Sequence, residues 1–562
     1  MYIMGISAFY HDSSAVLIQD GNLICAFEEE RFTRRKHDNS FPFSAIQHCL
    51  QYARVDMNDI DTVSYYEKPL LKFERILETF VQTYPYSLKT FLKAMPEWLG
   101  EKIKIEHIIR KKLKFKKNIT YIPHHLSHAA SSFYPSPFKN AAILTIDGVG
   151  EYQTTGLWRG DGTEIAPISS INFPHSLGLL YSTFTAFLGF QVNNDEYKMM
   201  GLGAYGKPSY LQKVNKIITV KKDGSFQLNM KYFGFRESFQ MWSQEFEDLF
   251  GKPRKNNDRF TQRHKDIAAS IQAKTEEIYF LILNHLYNNT LCENLCISGG
   301  VALNSLANGK IYERTPFKHV YIFGPAGDSA AALGAALYAY FRVSTSKSRE
   351  KISHLYFGNS YNNSNIEILL KKNKLNYEKC NDTEMIQKAA QALADGKIIG
   401  WFQGRMEFGP RALGNRSILA NPQKKSMKEK VNVIKIREQF RPFAGSVLQD
   451  NVHELFKVPE KNHESPFMNF VFEVQPGARS KIAAIVHADN TCRIQTISKT
   501  QNPLYYRLIK RFYELTGIPC ILNTSFNLKS EPIVESPEQA VEDFNKTSLD
   551  ELYIYHYYSS KD

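Results

Sequence analysis

The chain has 562 residues, 43% hydrophobic and 23% charged, with 70 Lys and Arg against 57 Asp and Glu for a formal charge of +13. This length allows two or more domains around a large core, and the composition is that of a globular protein rather than a disordered or fibrous one. No apolar run reaches the roughly 20 residues that cross a bilayer, the N-terminus lacks the basic region of a signal peptide, and seven scattered cysteines without a C-x-x-C pair predict free thiols in a reducing cytoplasm.

Tyr2–Val16 and Leu17–Phe27 read as two strands joined through Asp20-Gly21, a hairpin signal, with the polar cluster His11-Asp12-Ser13-Ser14 in the first. The charge run Glu28-Glu29-Glu30-Arg31-Phe32-Thr33-Arg34-Arg35-Lys36 follows. By composition it is a solvated edge, although Arg and Lys gathered at a strand end also grip phosphate. Helix is expected over residues 41–55. It is expected again over 70–109, where leucines and aromatics recur at three- and four-residue spacing with breaks near Pro85 and Pro96. The basic stretch Arg110–Lys117 reads as a solvated helix end that also offers a positive face to nucleic acid or anionic substrates. The 70–117 region either packs the core or shapes the mouth of a substrate site, and its aromatic content favours the second.

The densest chemistry lies between Pro123 and Glu151. His124 and His128 stand four apart, so on a helix their imidazoles share a face and can hold one transition metal, which nitrogen ligands suit better than they suit magnesium. An H-x-x-x-H pair by itself is more often an ordinary helix face. The apolar run 141–146 is a buried strand ending in Asp147-Gly148-Val149-Gly150, where missing Cβ atoms allow backbone N–H groups to approach a phosphate. Further on, an apolar helix is expected over 173–189, a glycine- and charge-rich loop or tight turn over 194–208, and a long amphipathic helix over 258–289. Two more strand ends carry glycine: Gly299-Gly300, with Asn304 beyond, and Gly327-Asp328 ahead of an alanine-rich helix. Ligands of α/β sheets bind outside the carboxyl ends of strands, so Asp328 is a third metal or phosphate ligand converging on the histidine pair.

The polar, aperiodic stretch 341–363 marks a domain boundary. Beyond it a second α/β unit concentrates cations among glycines: Arg411 and Arg416 in E-F-G-P-R-A-L-G-N-R, then Lys435, Arg437 and Arg441, and later Arg493, with Asn523 and Ser525 at a strand end. Few acids accompany them, which predicts an anion pocket, since the arginine fork binds phosphate or carboxylate bidentately.

Taken together, the ordered motifs GISAFYHDSSAVL, EEERFTRRKHD, HHLSHAASSFYPSPF, DGVGE, EYKMMGLGAYGKP, ISGGVALN, GPAGDSAAALGAA, EFGPRALGNRSILA, KIREQFRPFAGSVL, HADNTCRIQTI and NTSFNLKSEPIV resemble the NodU/CmcH family of O-carbamoyltransferases. The resemblance implies an α/β protein with an actin/Hsp70/sugar-kinase-like duplicated domain over 1–345 and a YrdC-like α/β domain over 346–562. It implies two steps: carbamoyl phosphate and ATP give carbamoyl adenylate and pyrophosphate in the C-terminal domain, and the carbamoyl group then passes to a hydroxyl of a small-molecule natural product or sugar in the N-terminal domain. Iron(II) would sit on His124, His128, Asp147 and Asp328, zinc or another divalent ion suiting the same donors, and magnesium would accompany ATP. His11 would be a general base or acceptor positioner, and Lys435 and Arg441 would act in adenylate formation. Nucleotide contacts would fall on Asp12, Gly148, Gly150, Gly299, Gly300, Asn304 and Gly327. Carbamoyl phosphate and adenylate contacts would fall on Arg411, Arg416, Lys435, Arg441, Arg493, Asn523 and Ser525. Two loops, 201–206 and 441–446, lack prolines usual in the family.

A sugar or acyl kinase of the same N-terminal fold would need an oxygen-rich magnesium site, which the histidine pair argues against. A threonylcarbamoyl-type tRNA-modifying transferase would fit the charge but needs an RNA surface that no motif supplies. A non-enzymatic, ATP-responsive scaffold would leave the arginine-rich pocket without purpose. The expected partners are therefore carbamoyl phosphate, ATP and a hydroxyl acceptor, in the cytoplasm, with no membrane or nucleic acid and with a homo-oligomer compatible.

Overall fold

A computed structural model describes residues 1–561, which divide into two compact units. One comprises residues 1–25, 39–307 and 311–351; the other comprises 26–38, 308–310 and 352–561. The expected boundary at 345/346 thus falls close to the main division at Lys351, but two short earlier segments belong to the C-terminal unit as well.

The N-terminal unit is built on two five-stranded sheets. The first contains β1 (Tyr2–Ser7), β2 (Ser14–Gln19), β3 (Asn22–Glu28), β4 (Ile60–Tyr65) and β5 (Asn118–Tyr121) in the order β3-β2-β1-β4-β5. The second contains β6 (Asn140–Ile146), β7 (Gln153–Asp161), β8 (Glu164–Asn172), β11 (Asn294–Ser298) and β12 (His319–Ile322) in the order β8-β7-β6-β11-β12. A separate small hairpin pairs β9 (Ile218–Val220) with β10 (Phe226–Leu228). The two sheets repeat one connectivity. Each opens with a central strand, β1 or β6, that is antiparallel to its successor and parallel to the strand arriving after a helical crossover. This repeat is the duplicated actin/sugar-kinase architecture expected of the N-terminal domain.

The duplication places the helices that matter. α4 (His124–Phe133) follows the fifth strand of the first sheet, and α7 (Asp328–Val343) follows the fifth strand of the second. They occupy equivalent positions in the two repeats and pack on each other. Small residues make this crossing close, since a Cβ on Gly334 would lie 1.8 Å from the Ser127 carbonyl oxygen; on another side of α7, one on Gly5 of β1 would lie 2.1 Å from the Ala332 carbonyl. Glycine is required at both because backbone atoms occupy the space a side chain needs.

Several sequence expectations need revision. The first expected strand is two strands, β1 and β2, because Phe9 (φ 72°) and Asp12 (φ 53°) turn the chain between them. The 70–109 helix is three: α1 (Pro69–Thr83), α2 (Leu88–Glu97) and α3 (Ile105–Leu113). Pro96 does not break α2, which runs on into a wider turn over Trp98–Lys102. The glycine-rich stretch 194–208 contains α5 (Glu196–Gly203), and Gly206 serves packing: its missing Cβ would meet the Lys265 carbonyl at 2.1 Å on α6 (Gln262–Thr290).

The C-terminal unit is one nine-stranded mixed sheet, with β13 (Glu378–Lys379), β14 (Ile399–Phe402), β15 (Arg416–Ala420), β16 (Ala444–Leu448), β17 (Phe470–Glu473), β18 (Thr491–Ile497), β19 (Cys520–Ser525), β20 (Glu551–Ile554) and β21 (Tyr557–Ser560). Their order is β13-β21-β20-β14-β15-β19-β16-β18-β17. α8 (Ser426–Ile434) lies between β15 and β16 in the chain, and its C-terminal end presents Lys435.

Candidate functional site

In the N-terminal unit four side chains from three different elements converge. The first turn of α4 gives His124, the second gives His128, the end of β6 gives Asp147 and the first turn of α7 gives Asp328. His124 Nε2 and His128 Nε2 are 3.1 Å apart. Asp147 Oδ2 lies 3.0 Å from the first and 3.4 Å from the second, and Asp328 Oδ1 lies 3.8 and 3.3 Å from the same pair. All four residues are buried, and one donor atom from each falls within 4.8 Å of every other.

Each donor is aimed by a neighbour. Ser298 Oγ donates to the Ala326 carbonyl at 3.1 Å and accepts from His128 Nδ1–H at 3.2 Å, which leaves His128 Nε2 with its lone pair towards the centre. The Gly300 N–H donates to Asp147 Oδ1 at 3.0 Å, so Oδ2 faces the imidazoles. The Glu151 carboxylate accepts from the His124 N–H at 3.0 and 3.1 Å and from the Lys68 N–H at 2.7 Å, capping α4 where no side chain of its own N-cap, Pro123, can. Gly150 lies against the rings, its missing Cβ 3.0 Å from His124 and 3.1 Å from His125. His125, between the two, hydrogen-bonds Thr145 Oγ1 through Nδ1 at 2.8 Å, and burial with its imidazole neighbours pushes it down to about 3.

The electrostatics ask for a positive centre. Burial alone would lower His128, yet Asp147 and Asp328 hold it up at about 9. Burial alone would raise both carboxylates, yet the imidazoles keep Asp147 well below, and Asp328 below, the ordinary range. Among the described residues neither oxygen of Asp328, fully buried, has a well-directed hydrogen bond, its nearest partners being His128 Nε2 at 3.3 Å and His11 Nε2 at 3.8 Å. A buried carboxylate left this way is costly unless a cation meets it. Two imidazole nitrogens and two carboxylates fit a divalent transition ion in both charge and donor type.

His11 borders this cluster. Its Nδ1 lies 2.9 Å from Asp12 Oδ2 and its Nε2 lies 3.8 Å from Asp328 Oδ2. Burial opposes its charge, but Asp328 and Asp12 outweigh burial and raise it to about 10. The glycine loops differ in their surroundings. Nothing lies within 4 Å of the position a Cβ would take at Gly327, and at Gly148 only the Tyr10 hydroxyl does, at 3.7 Å, so both border open space. Gly299 (φ +97°) instead fits against the Ile146 backbone, and Gly300 against Asp147 Oδ1. Asn304 pairs its amide with that of Gln272 at 3.1 Å in both directions, and Gln272 also accepts from the Tyr181 hydroxyl.

The second cluster is in the C-terminal unit. Lys435 Nζ is buried and donates to the Asn527 carbonyl and Oδ1, both at 2.9 Å, and to the Ser525 carbonyl and hydroxyl. Burial, then Arg437 and Arg441, push it well below the usual lysine value, and Lys36 adds to the effect. Arg493 on β18 is pushed down likewise, by burial first and then by Arg411, Arg437 and Arg441. Six cations therefore lie within electrostatic reach, Lys435 buried and the other five half-buried, with Arg441 3.6 Å from Glu438, and their mutual repulsion is relieved by an anion. The Glu407 carboxylate shapes the loop carrying Arg411, collecting the N–H groups of Leu413, Asn415 and Arg416 at 2.7, 2.8 and 3.2 Å.

Arg416 does not join this group. It is fully buried, its guanidinium donating to the carbonyls of Gln403, Gly404, Asn415 and Asn359 and lying 3.6 Å over the Phe402 ring. It fastens backbone, and the sequence gives no mark separating it from Arg411 five residues earlier. Asn523 lies beneath the loop, Nδ2 donating to Ala412 O, Ser446 Oγ and Gln495 Oε1. Lys36 comes from the charge run read as a solvated edge, with phosphate binding as the alternative. Its segment reaches the C-terminal unit through Arg31, which pairs with Glu28 and Glu30 and donates to the Gly409 carbonyl at 2.6 Å, and through Arg34, which donates to the Pro532 and Ile533 carbonyls at 2.8 Å. The only signal was the charge run itself, with buried and solvated readings alike in sequence. Glu151 and Ser298 were missed, although each adjoins a residue singled out.

Residues 2–337 match the family model described as Carbamoyltransferase N-terminus, and residues 390–561 match the one described as Carbamoyltransferase C-terminus. An uncharacterized protein of Synechocystis sp. is 42% identical, the alignment covering 100% of this chain and 97% of the relative. The nodulation protein NolNO of Sinorhizobium fredii is 37% identical, covering 99% of this chain and 80% of its own length. Among solved structures, component A of the (R)-2-hydroxyglutaryl-CoA dehydratase of Acidaminococcus fermentans aligns with 61% of this chain and 98% of its own, at 16% identity and a TM-score of 0.33.

Proposed function

Because this chain belongs to the carbamoyltransferase family, a transferase, we propose that it moves the carbamoyl group in two steps, using ATP and carbamoyl phosphate and ending on the hydroxyl of a small molecule. In the first step carbamoyl phosphate yields its phosphoryl group to water as phosphate, and the carbamate oxygen attacks the α-phosphorus of ATP, displacing pyrophosphate. In the second the acceptor oxygen attacks the carbamoyl carbon, the bond to the adenylate oxygen breaks, and AMP leaves with the proton transferred from the hydroxyl. The observation that carries this reading is the sorting of charge: cations gather around the buried Lys435 in one unit, and a dicarboxylate–dihistidine cluster forms in the other.

Lys435, Arg411, Arg437, Arg441 and Arg493 offer the charge that two polyanionic substrates and the departing pyrophosphate require. Lys435 is the best oriented, its ammonium fixed by Asn527 and Ser525. A closed cationic pocket also limits hydrolysis of a reactive adenylate by excluding water. In the N-terminal unit His124, His128, Asp147 and Asp328 would hold iron(II) or a similar divalent ion, which when bound supplies Lewis acidity towards a carbonyl or phosphate oxygen. Gly148 and Gly327 leave open backbone beside that cluster, where a nucleotide phosphate would lie. Asp12 takes the Nδ1 side of His11, so Nε2 faces the cluster and is the position from which His11 would orient the acceptor hydroxyl.

The test uses the full chain with ATP and carbamoyl phosphate. Pyrophosphate should be released, Lys435→Ala or Arg441→Ala should abolish it, and His124→Ala should keep it while losing transfer. No pyrophosphate from the iron-loaded enzyme under anaerobic conditions would sink the adenylate route, and equal loss of both steps in His124→Ala would sink the division of labour.

A further inference from the structure

The helices over 69–97 face the wrong way for a core, whereas α3 buries Ile105, Ile109 and Leu113. α1 turns charge inward: Lys72 Nζ pairs with Glu67 at 2.6 Å, and the Arg75 guanidinium lies 4.7 Å over the Phe173 ring. On the opposite stripe of the same helix, Leu70, Leu77 and Val81 are 68%, 38% and 73% exposed. α2 and the turn that continues it repeat the pattern, with Leu88, Leu92 and Leu99 spaced four and seven apart and all exposed. The two helices pair as an antiparallel hairpin through Phe73 with Trp98 and Phe80 with Phe91, at centroid separations of 6.0 and 4.0 Å. At its tip Tyr84 and Tyr86 are exposed, and Phe239 of a neighbouring loop adds a further exposed ring beside Lys93. Apolar stripes this extensive are rarely left to water on a monomer.

The same stretch is strongly basic. Residues 69–117 contain twelve Lys and Arg against five Glu, a surplus of seven in a chain whose whole formal charge is +13. Lys89 and Lys93 flank the α2 leucines, and Arg110–Lys117 closes the module with exposed cations. An apolar helix face rimmed with lysine and exposed tyrosine is the pattern of a helix lying in a bilayer interface, held by apolar insertion and by attraction to anionic headgroups.

We propose that the α1–α2 hairpin and its basic extension seat this protein on the surface of an anionic lipid bilayer. Among the described residues no helix is long and apolar enough to cross a membrane, so the contact is peripheral. A second copy is the poorer occupant. A twofold interface would set the patch against itself, bringing two surpluses of seven positive charges together. Nucleic acid would use the lysines and leave the leucines unaccounted for. This partner differs from the expectation of no membrane contact, which rested on the absence of a spanning segment. It stands independently of the reaction proposed above.

The experiment is co-sedimentation of the full-length protein with vesicles of phosphatidylcholine alone or of phosphatidylcholine with a minor fraction of phosphatidylglycerol. The wild-type chain should bind the anionic vesicles and leave the neutral ones. Raising the salt from about 0.1 M towards 1 M should weaken binding, since the screening length then falls from about 10 to 3 Å. The triple variant Leu77→Glu, Val81→Glu, Leu92→Glu should lose binding by about tenfold or more, while its circular dichroism and pyrophosphate release match wild type. Replacing Lys111, Lys112 and Lys114 by serine is a second, milder variant that should weaken anionic binding alone. Equal binding of wild type and triple variant would overturn the proposal. So would a wild-type dimer in solution that the triple variant dissolves without any lipid binding, or binding of a single-stranded oligonucleotide in place of vesicles.

Discussion

Replacing Gly334 by alanine isolates the contact that sets the spacing of the buried cluster. The new Cβ would lie 1.8 Å from the Ser127 carbonyl oxygen and 2.8 Å from the Ser131 nitrogen, whereas real Cβ contacts essentially never fall under 3.0 Å. Both opposing atoms are backbone, so no rotamer change relieves the clash and the two helices must part by about 1.2 Å. Ser127 immediately precedes His128, and Gly334 lies on the helix that Asp328 begins. The 3.3 Å separation between His128 Nε2 and Asp328 Oδ1 therefore opens to about 4.5 Å, beyond what one small cation bridges through ligand bonds of about 2.0–2.2 Å. Overpacking a rigid crossing costs about 3 kcal/mol, and the better helix propensity of alanine returns about 1, leaving a net loss of about 2 kcal/mol. That loss lowers the melting temperature of the N-terminal unit by about 3 °C, and affinity for a divalent ion falls about 10–100-fold, as when a supporting group is lost. Thermal melting with and without added Zn²⁺ or anaerobic Fe²⁺, with isothermal titration of the ion, reads both quantities. Gly100→Ala, with nothing within 4 Å of the new atom, is the control. A Gly334→Ala protein that melts with wild type and binds the ion as tightly would refute the view that this crossing fixes the donor geometry.

The cation-free protein should lose stability as the pH rises, through His128. Its folded value of about 9 lies above the ordinary 6.5, so its contribution is fully present below pH 6.5 and disappears as the pH climbs to about 9, amounting to about 3 kcal/mol. The melting temperature should decline across that window and flatten in His128→Gln, and an unchanged slope in the variant would disprove the assignment. The two arginines of one loop should separate cleanly. Arg416→Met strands four backbone carbonyls in the interior and should destabilise the C-terminal unit by about 3 kcal/mol or more, whereas Arg411→Met should leave melting within about 0.5 kcal/mol and instead raise the KM for carbamoyl phosphate. Matching behaviour of the two variants in both assays would contradict the structural distinction.

The elements legible in the sequence are those whose cause is local. The Asp20-Gly21 hairpin, the buried strand ending at Asp147 and the alanine-rich helix after Asp328 each carry their own pattern, and each forms where expected. Convergence of His124, His128, Asp147 and Asp328 was readable for a related reason: all four lie at strand ends or helix starts, and the duplicated topology gathers such ends. What was hidden depends on partners distant in the chain. Arg411 and Arg416 share a motif, yet one faces other cations and the other meets four carbonyls. Glu151 looks like the end of a glycine turn and caps a helix that starts 27 residues earlier. The leucines of α1 carry the periodicity of a core helix, and only the fold reveals that lysine and arginine take the inner face.

The segment Ala26–Asp38 belongs to the C-terminal unit although the chain makes it first. Arg31 and its two glutamates are all but buried, and Arg31 meets the Gly409 carbonyl 378 residues later. At synthesis rates of about 5–20 residues per second, that partner leaves the ribosome about 20 to 80 s after the segment does. During that interval the early charges stay hydrated and the segment cannot take its final place, so the C-terminal unit matures only when both ends of the chain exist. A fragment beginning at residue 346 would lack Arg31, Arg34 and Lys36, and supplying residues 26–38 as a separate peptide should restore what covalent linkage normally guarantees.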